Sequence, residues 1–186
     1  MRRLPVTLLL AAALAGCSAG GAPPTGAGAG AEPAAPADPI PPVRNPVDLA
    51  GTPPCALLTP AQLAANRIDL PGQPKDILGA PACEWDNRAH TREIRIYADL
   101  ANDVLHNVYA KRANFPVFEV TQVAGHPAIR TKISAAGTSC FFRVAAAERQ
   151  TLAVRFTSLG KGLEEPCGPD RALAEAVMSN LPPLKS

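Results

Sequence analysis

Ser139-Cys140-Phe141-Phe142-Arg143-Val144-Ala145, followed shortly by Thr151-Leu152-Ala153-Val154-Arg155-Phe156-Thr157, decides the fold class. Cys140, Phe142 and Val144 alternate with Phe141 and Arg143, and Leu152, Val154 and Phe156 alternate with Ala153 and Arg155. A period of two is the mark of a strand with one face buried. The short gap between the two runs predicts neighbouring antiparallel strands.

The same period extends upstream. Phe118 to Val123 and Ala128 to Ile133 read as strands, punctuated by Gly125-His126-Pro127. Further back, Cys83 to Asp86 and Glu93 to Tyr97 read as a hairpin turning at Asn87-Arg88-Ala89-His90. Between these groups the period becomes helical. Ala101, Val104, Leu105, Val108 and Tyr109 share one face of a helix near residues 100–113. Thr59-Pro60-Ala61-Gln62 starts a short first helix, with a Thr cap, Pro at the first turn and Gln three after the cap. A last helix begins near Pro169, carries Leu173, Ala176, Val177 and Leu181 on one face, and stops before Pro182. The predicted order is α-β-β-α-β-β-β-β-α. It gives an α+β domain over residues 55–184, with an antiparallel sheet of about five to six strands and helices packed on one face.

The N-terminus has a different character. Arg2 and Arg3 precede an apolar run from Leu4 to Leu14, and Leu14-Ala15-Gly16-Cys17 closes it. The run is too short for a membrane span in the mature chain and has the anatomy of a cleaved export signal. A cysteine directly after small residues resembles the bacterial lipoprotein signal. That resemblance implies cleavage after residue 16 and a diacylglyceryl group on Cys17, hence a membrane partner reached through lipid and an extracytoplasmic location at the cell membrane. Without residues 1–16 the chain carries 16 basic and 16 acidic side chains, and its longest basic cluster is a pair, Lys111-Arg112. This argues against nucleic acid as a partner and against a polybasic membrane contact.

Residues 18–54 hold ten of the 21 prolines and no aromatic residue. Such composition offers little apolar side chain to offset ordering entropy, so residues 17–54 read as the lipidated cysteine followed by a disordered spacer. As a coil the spacer would span roughly 35 Å.

Four cysteines remain after Cys17: Cys55, Cys83, Cys140 and Cys167. No close CxxC pair suggests zinc or redox chemistry, and the histidines are scattered, so no metal or cofactor is expected. In an oxidising compartment four cysteines make two disulfides, with three possible connectivities. Pairing sequence neighbours, Cys55 with Cys83 and Cys140 with Cys167, closes two loops each worth roughly 3–4 kcal/mol. The second bridge would staple the last helix to the sheet.

Pro54-Cys55-Ala56-Leu57-Leu58-Thr59 with Gln62-Leu63, then Cys83-Glu84-Trp85, Cys140, and Pro166-Cys167 ahead of a helix ending in Leu181-Pro182 resemble a known group. They are similar to the actinobacterial lipoproteins of domain-of-unknown-function family 3558. The resemblance implies an envelope lipoprotein and carries no catalytic residues.

No sequence motif supplies chemistry. GxSxG, a Walker loop, a Rossmann glycine pattern and a calcium loop are all missing. Ser139 reads as structural, His90 as a turn residue and His106 as solvated; His126 is the residue to inspect for a base. Glu164-Glu165 precede the last helix, and Glu84 and Asp86 flank Trp85 on the opposite side of their strand. Trp85 belongs to the core, and Tyr97 points to the open face of the sheet. The expected function is a non-enzymatic binding or interaction module, its partner an envelope protein or a small apolar ligand. A carrier of an apolar ligand and a hydrolase acting on cell wall or lipid are the alternatives.

Overall fold

The computed structural model describes residues 38–159 and 165–185. The export signal, Cys17, residues 18–37 of the expected spacer and Glu164 lie outside the described residues.

Seven strands form one antiparallel sheet: β1 (Gln73–Ile77), β2 (Ala80–Asp86), β3 (Arg92–Asp99), β4 (Val117–Val123), β5 (His126–Lys132), β6 (Ser139–Ala147) and β7 (Gln150–Ser158). The spatial order is β1-β2-β3-β7-β6-β5-β4. Two meanders therefore meet where β3 pairs with β7. Three α-helices accompany them: α1 (Pro60–Ala65), α2 (Val104–Ala110) and α3 (Cys167–Asn180). The α+β class and the antiparallel sheet agree with the sequence. The number of strands does not: β1 is additional, because Gln73-Pro74-Lys75-Asp76-Ile77 shows no alternation. It lies at the sheet edge, where Pro and charge are tolerated.

The inner face is the main core. Across the sheet, Trp85, Ile94, Phe156 and Cys140 form one row, and Cys83, Ile96, Val154 and Phe142 the next. All eight are nearly or fully buried. Leu173, Ala174, Val177 and Met178 of α3 cover them, joined by Leu57 and Leu58 before α1. Thr59 caps α1 in a complete capping box with Gln62. Both disulfides end on this face, Cys55–Cys83 and Cys140–Cys167, with Cα–Cα distances of 5.0 and 5.1 Å. Gly72 fits here because any side chain would collide: an added Cβ would lie 2.5 Å from the Trp85 indole nitrogen and 2.8 Å from the Cys83 sulfur.

The helices are not all on one face. Leu105, Val108 and Tyr109 of α2 pack on Ile129, Phe118 and Ala145, which point to the outer face. Helical periodicity identifies an apolar stripe but not the side of the sheet that receives it. α2 is also shorter than expected, starting at its cap Asp103, while Ala101 stays in a loop held by Asp99.

A further correction concerns residues 38–54, expected as spacer. Ile40 and Leu49 are buried, at 6% and 1% exposure, in the small outer cluster and the main core respectively. Val47 donates to the Ala146 carbonyl, Asp48 to the Pro182 carbonyl, and Leu184 back to the Pro46 carbonyl. The folded unit thus begins well before Cys55, as a strap across the sheet end. Its few apolar side chains suffice because each drops into a site made by the rest of the fold.

Candidate functional site

The inner face is sealed, so surface chemistry concentrates on the outer face. One row crosses five strands there: Glu84, Arg95, Arg155, Phe141 and Thr131 on β2, β3, β7, β6 and β5. Two arginines stand directly opposite each other, an arrangement that repels by itself. Glu84 pairs with Arg95, and Glu93 reaches both guanidiniums. Burial pushes the Arg155 guanidinium below its usual range, opposed by the Glu84 charge. Arg143 lies over the Phe141 ring at 5.1 Å and donates to the Thr131 hydroxyl at 2.7 Å. Tyr97 lies on this face, as the alternation predicts, between Ala82 and Ala153.

Beside this row, the strap, α2 and the β6–β7 turn enclose a groove of about 930 Å³. Ile40, Pro42 and Val43 form one wall, Leu105 and His106 another, with Glu148 and Arg149 at the rim. His106 clasps the strap to the helix. Its Nδ1 is 2.8 Å from an Asp103 oxygen and its Nε2 is 3.0 Å from an Asp38 oxygen. The hydrogen bonds to Asp103 and then Asp38 raise the His106 pKa. Asp38 is held lower by the Ile40 amide and by His106. An imidazolium with both nitrogens on carboxylates is a charged clasp with no lone pair to take a proton. Arg149 donates twice to the Ala101 carbonyl, at 2.9 and 2.6 Å, fixing the loop before α2.

His126 is buried, with Nδ1 3.0 Å from the Ala145 carbonyl, so Nδ1 carries the hydrogen. Ser139 shares a hydrogen bond with Thr157 at 3.0 Å, a cross-strand structural pair. The two do not form a nucleophile–base arrangement. His90 sits at the β2–β3 turn with a left-handed backbone (φ 50°). Glu165 accepts from the Cys167 amide at 2.8 Å and from Lys132 at 3.0 Å, and these bonds outweigh desolvation and lower its pKa. Trp85 is core. Among the described residues, no group of three or more His, Cys, Asp or Glu could hold a metal ion.

Residues 12–180 match the family described as "Protein of unknown function (DUF3558)". The chain belongs to this family. No curated protein and no solved structure matches it. The matched stretch of the DUF3558 protein encloses all five cysteines, the arginine row and most of the groove.

Three features of this DUF3558 domain escaped the sequence. The Asp38–His106 contact joins residues 68 apart. The arginine row arises only when β3 and β7 pair, far apart in sequence. Asp170 is wholly buried on the inner side of α3, and desolvation raises its pKa well above the usual carboxylate range despite the Arg143 charge and the Phe156 amide. Its spacing of three from Cys167 was the signal, since that offset repeats on one helix face.

Proposed function

We propose that this protein is a membrane-anchored extracytoplasmic lipoprotein whose domain is a non-enzymatic binding module of the cell envelope. The Leu14-Ala15-Gly16-Cys17 box supports the anchor. No helix among the described residues is long and apolar enough to cross a membrane. The groove carries the binding reading: its volume falls in the range of sites that hold small molecules, and apolar walls meet a few fixed polar groups. A segment of an envelope protein or a small amphipathic ligand suits it better than a purely apolar cargo, because Asp38, Asp103, Glu148 and Arg149 line it. A hydrolase is less well supported, since His126 is buried against the Ala145 carbonyl and Ser139 is paired with Thr157 instead.

The test uses a photo-crosslinking side chain in the full-length protein in its own host. One probe replaces Asn102 in the groove and another replaces Arg88 on the β2–β3 turn. A discrete adduct from position 102, absent from position 88 and lost in Cys17→Ala along with membrane fractionation, is the expected result. Equal adducts from both positions would remove the groove from consideration. Ester or peptide turnover abolished by His126→Ala would favour the hydrolase.

A further inference from the structure

The two edges of the sheet are built differently. The β1 edge carries Pro74, Lys75 and Asp76, a missing donor and two charges, which are common guards against strand addition. The β4 edge reads Val117-Phe118-Glu119-Val120-Thr121-Gln122-Val123, with no proline and one charge. Its turn to β5, Ala124-Gly125, has positive φ at both residues (50° and 80°), the mark of a tight two-residue hairpin. Val123 and His126 close that hairpin as a hydrogen-bonded pair. Alternation then turns the amide and carbonyl groups of Gln122, Val120 and Phe118 outward, and Gln122 indeed faces Pro127, which has no N–H to give. Among the described residues, the backbone bonds outside the sheet engage neither Phe118 nor Val120. Val120 is exposed, and Phe118 stands in an aromatic group with Phe115 and Tyr109.

We infer that β4 is a docking edge for a second copy of this chain, the two β4 strands pairing antiparallel about a two-fold axis at Val120. The charges select both the occupant and the register. Arg171 of α3 reaches over this edge, donating to the Gln122 carbonyl at 2.9 Å and approaching the Thr121 hydroxyl at 3.5 Å, while its Nε pairs with Glu175 at 3.1 Å and leaves the outer guanidinium nitrogens at the edge. Outward groups must meet outward groups, so three central registers are available. Centring on Glu119 opposes two glutamates. Centring on Thr121 brings two Arg171 guanidiniums together. Centring on Val120 places Glu119 of one copy, which pairs with Arg130 of its own chain at 2.6 Å, opposite Thr121 of the other, hence beside its Arg171, and symmetry extends the ion pair across the contact twice. Phe118 then faces Gln122 of the other copy, whose carbonyl oxygen can accept from Phe118 as well as Arg171. The contact is isologous and closes on itself, and the guarded β1 edge prevents continuation into a filament.

The test places cysteines in the full-length, membrane-bound protein. In this register the Val120 Cα atoms are about 5.5 Å apart, within disulfide range. Val120→Cys should give a dimer on non-reducing gels, whereas Lys75→Cys on β1 should not. The double variant Phe118→Cys/Gln122→Cys provides an independent check. Its two cysteines lie about 13 Å apart in one strand and can join only across copies. Arg171→Glu should slow crosslinking by roughly three- to ten-fold, and adding Glu119→Arg should restore it, a rescue that a purely structural role of Arg171 would not produce. Monomer from both cysteine variants, equal dimer from Lys75→Cys, or a crosslink to a different protein would overturn the proposal.

Discussion

The two faces of the sheet solve opposite problems with the same strands. On the inner face, the central positions of β2, β3, β6 and β7 are apolar and covered, and two disulfides tie the covering elements down. On the outer face, the intervening residues include Glu84, Arg95, Arg155 and Arg143, and only one end of the sheet is roofed, by α2 and Ile40. Stability therefore resides on one face and specificity is available on the other. Because side chains alternate, a substitution on one face leaves the backbone pairing of the other intact.

The largest test compares the two apolar clusters. Leu49→Ala removes a side chain from the main core and should lower stability by about 2–5 kcal/mol, whereas Ile40→Ala in the smaller outer cluster should lie at the bottom of that range, near about 2 kcal/mol. Chemical denaturation measures both. Equal losses would mean that the outer cluster is as important as the core. Replacing both Cys140 and Cys167 with Ala should cost roughly 2–5 kcal/mol and loosen α3 from β6. Amide exchange would show lost protection concentrated in α3.

Asp170 is a wholly buried carboxyl on the core side of α3, and it sets a pH dependence. Its folded pKa is raised, so the folded state holds a proton that the unfolded chain releases above the ordinary carboxylate value. Stability from this group is full below that value and falls as pH climbs towards the folded pKa, by about 1.4 kcal/mol per pH unit. Asp170→Asn should flatten that fall, stabilising the domain at neutral pH and having little effect near pH 3. Identical pH profiles for the two proteins would contradict the assignment. On the outer face, Glu93→Gln leaves Arg95 and Arg155 opposed with less compensation, and a loss of about 1–3 kcal/mol is expected in thermal unfolding, partly recovered at high salt.

His106 should show the smallest effect on stability and the clearest signal. Its folded pKa is raised, so its contribution is present below the unfolded histidine value and disappears as pH rises through the folded one. Proton NMR should place the midpoint above that of a free histidine. Asp103→Asn should lower the midpoint more than Asp38→Asn, since Asp103 is the stronger influence.

The inner face was the more legible in sequence. Alternation revealed six of the seven strands, and the even cysteine count with pairing of sequence neighbours suggested the observed bridges. β1 was hidden because an edge strand facing water keeps no apolar alternation. The outer face was largely illegible: its row depends on β3 meeting β7, a pairing across some sixty residues that no local pattern encodes. The strap was hidden by its composition. Proline-rich segments rarely bury anything, and here burial rests on two side chains, Ile40 and Leu49, placed by long-range bonds to Ala146, Pro182 and Gln150.

That strap has a mechanical meaning. A pull applied upstream of Asp38 meets the attachments of the strap in chain order: the His106 clasp and Ile40, then Val47 at Ala146 and Pro183, then Leu49. Each can peel without disturbing a strand. The next stop is Cys55, covalently fixed to β2. Tension therefore releases the residues between 38 and 55, a segment that extends to roughly 55 Å, before any load enters the sheet. The strap acts as a reel and the first disulfide as its brake.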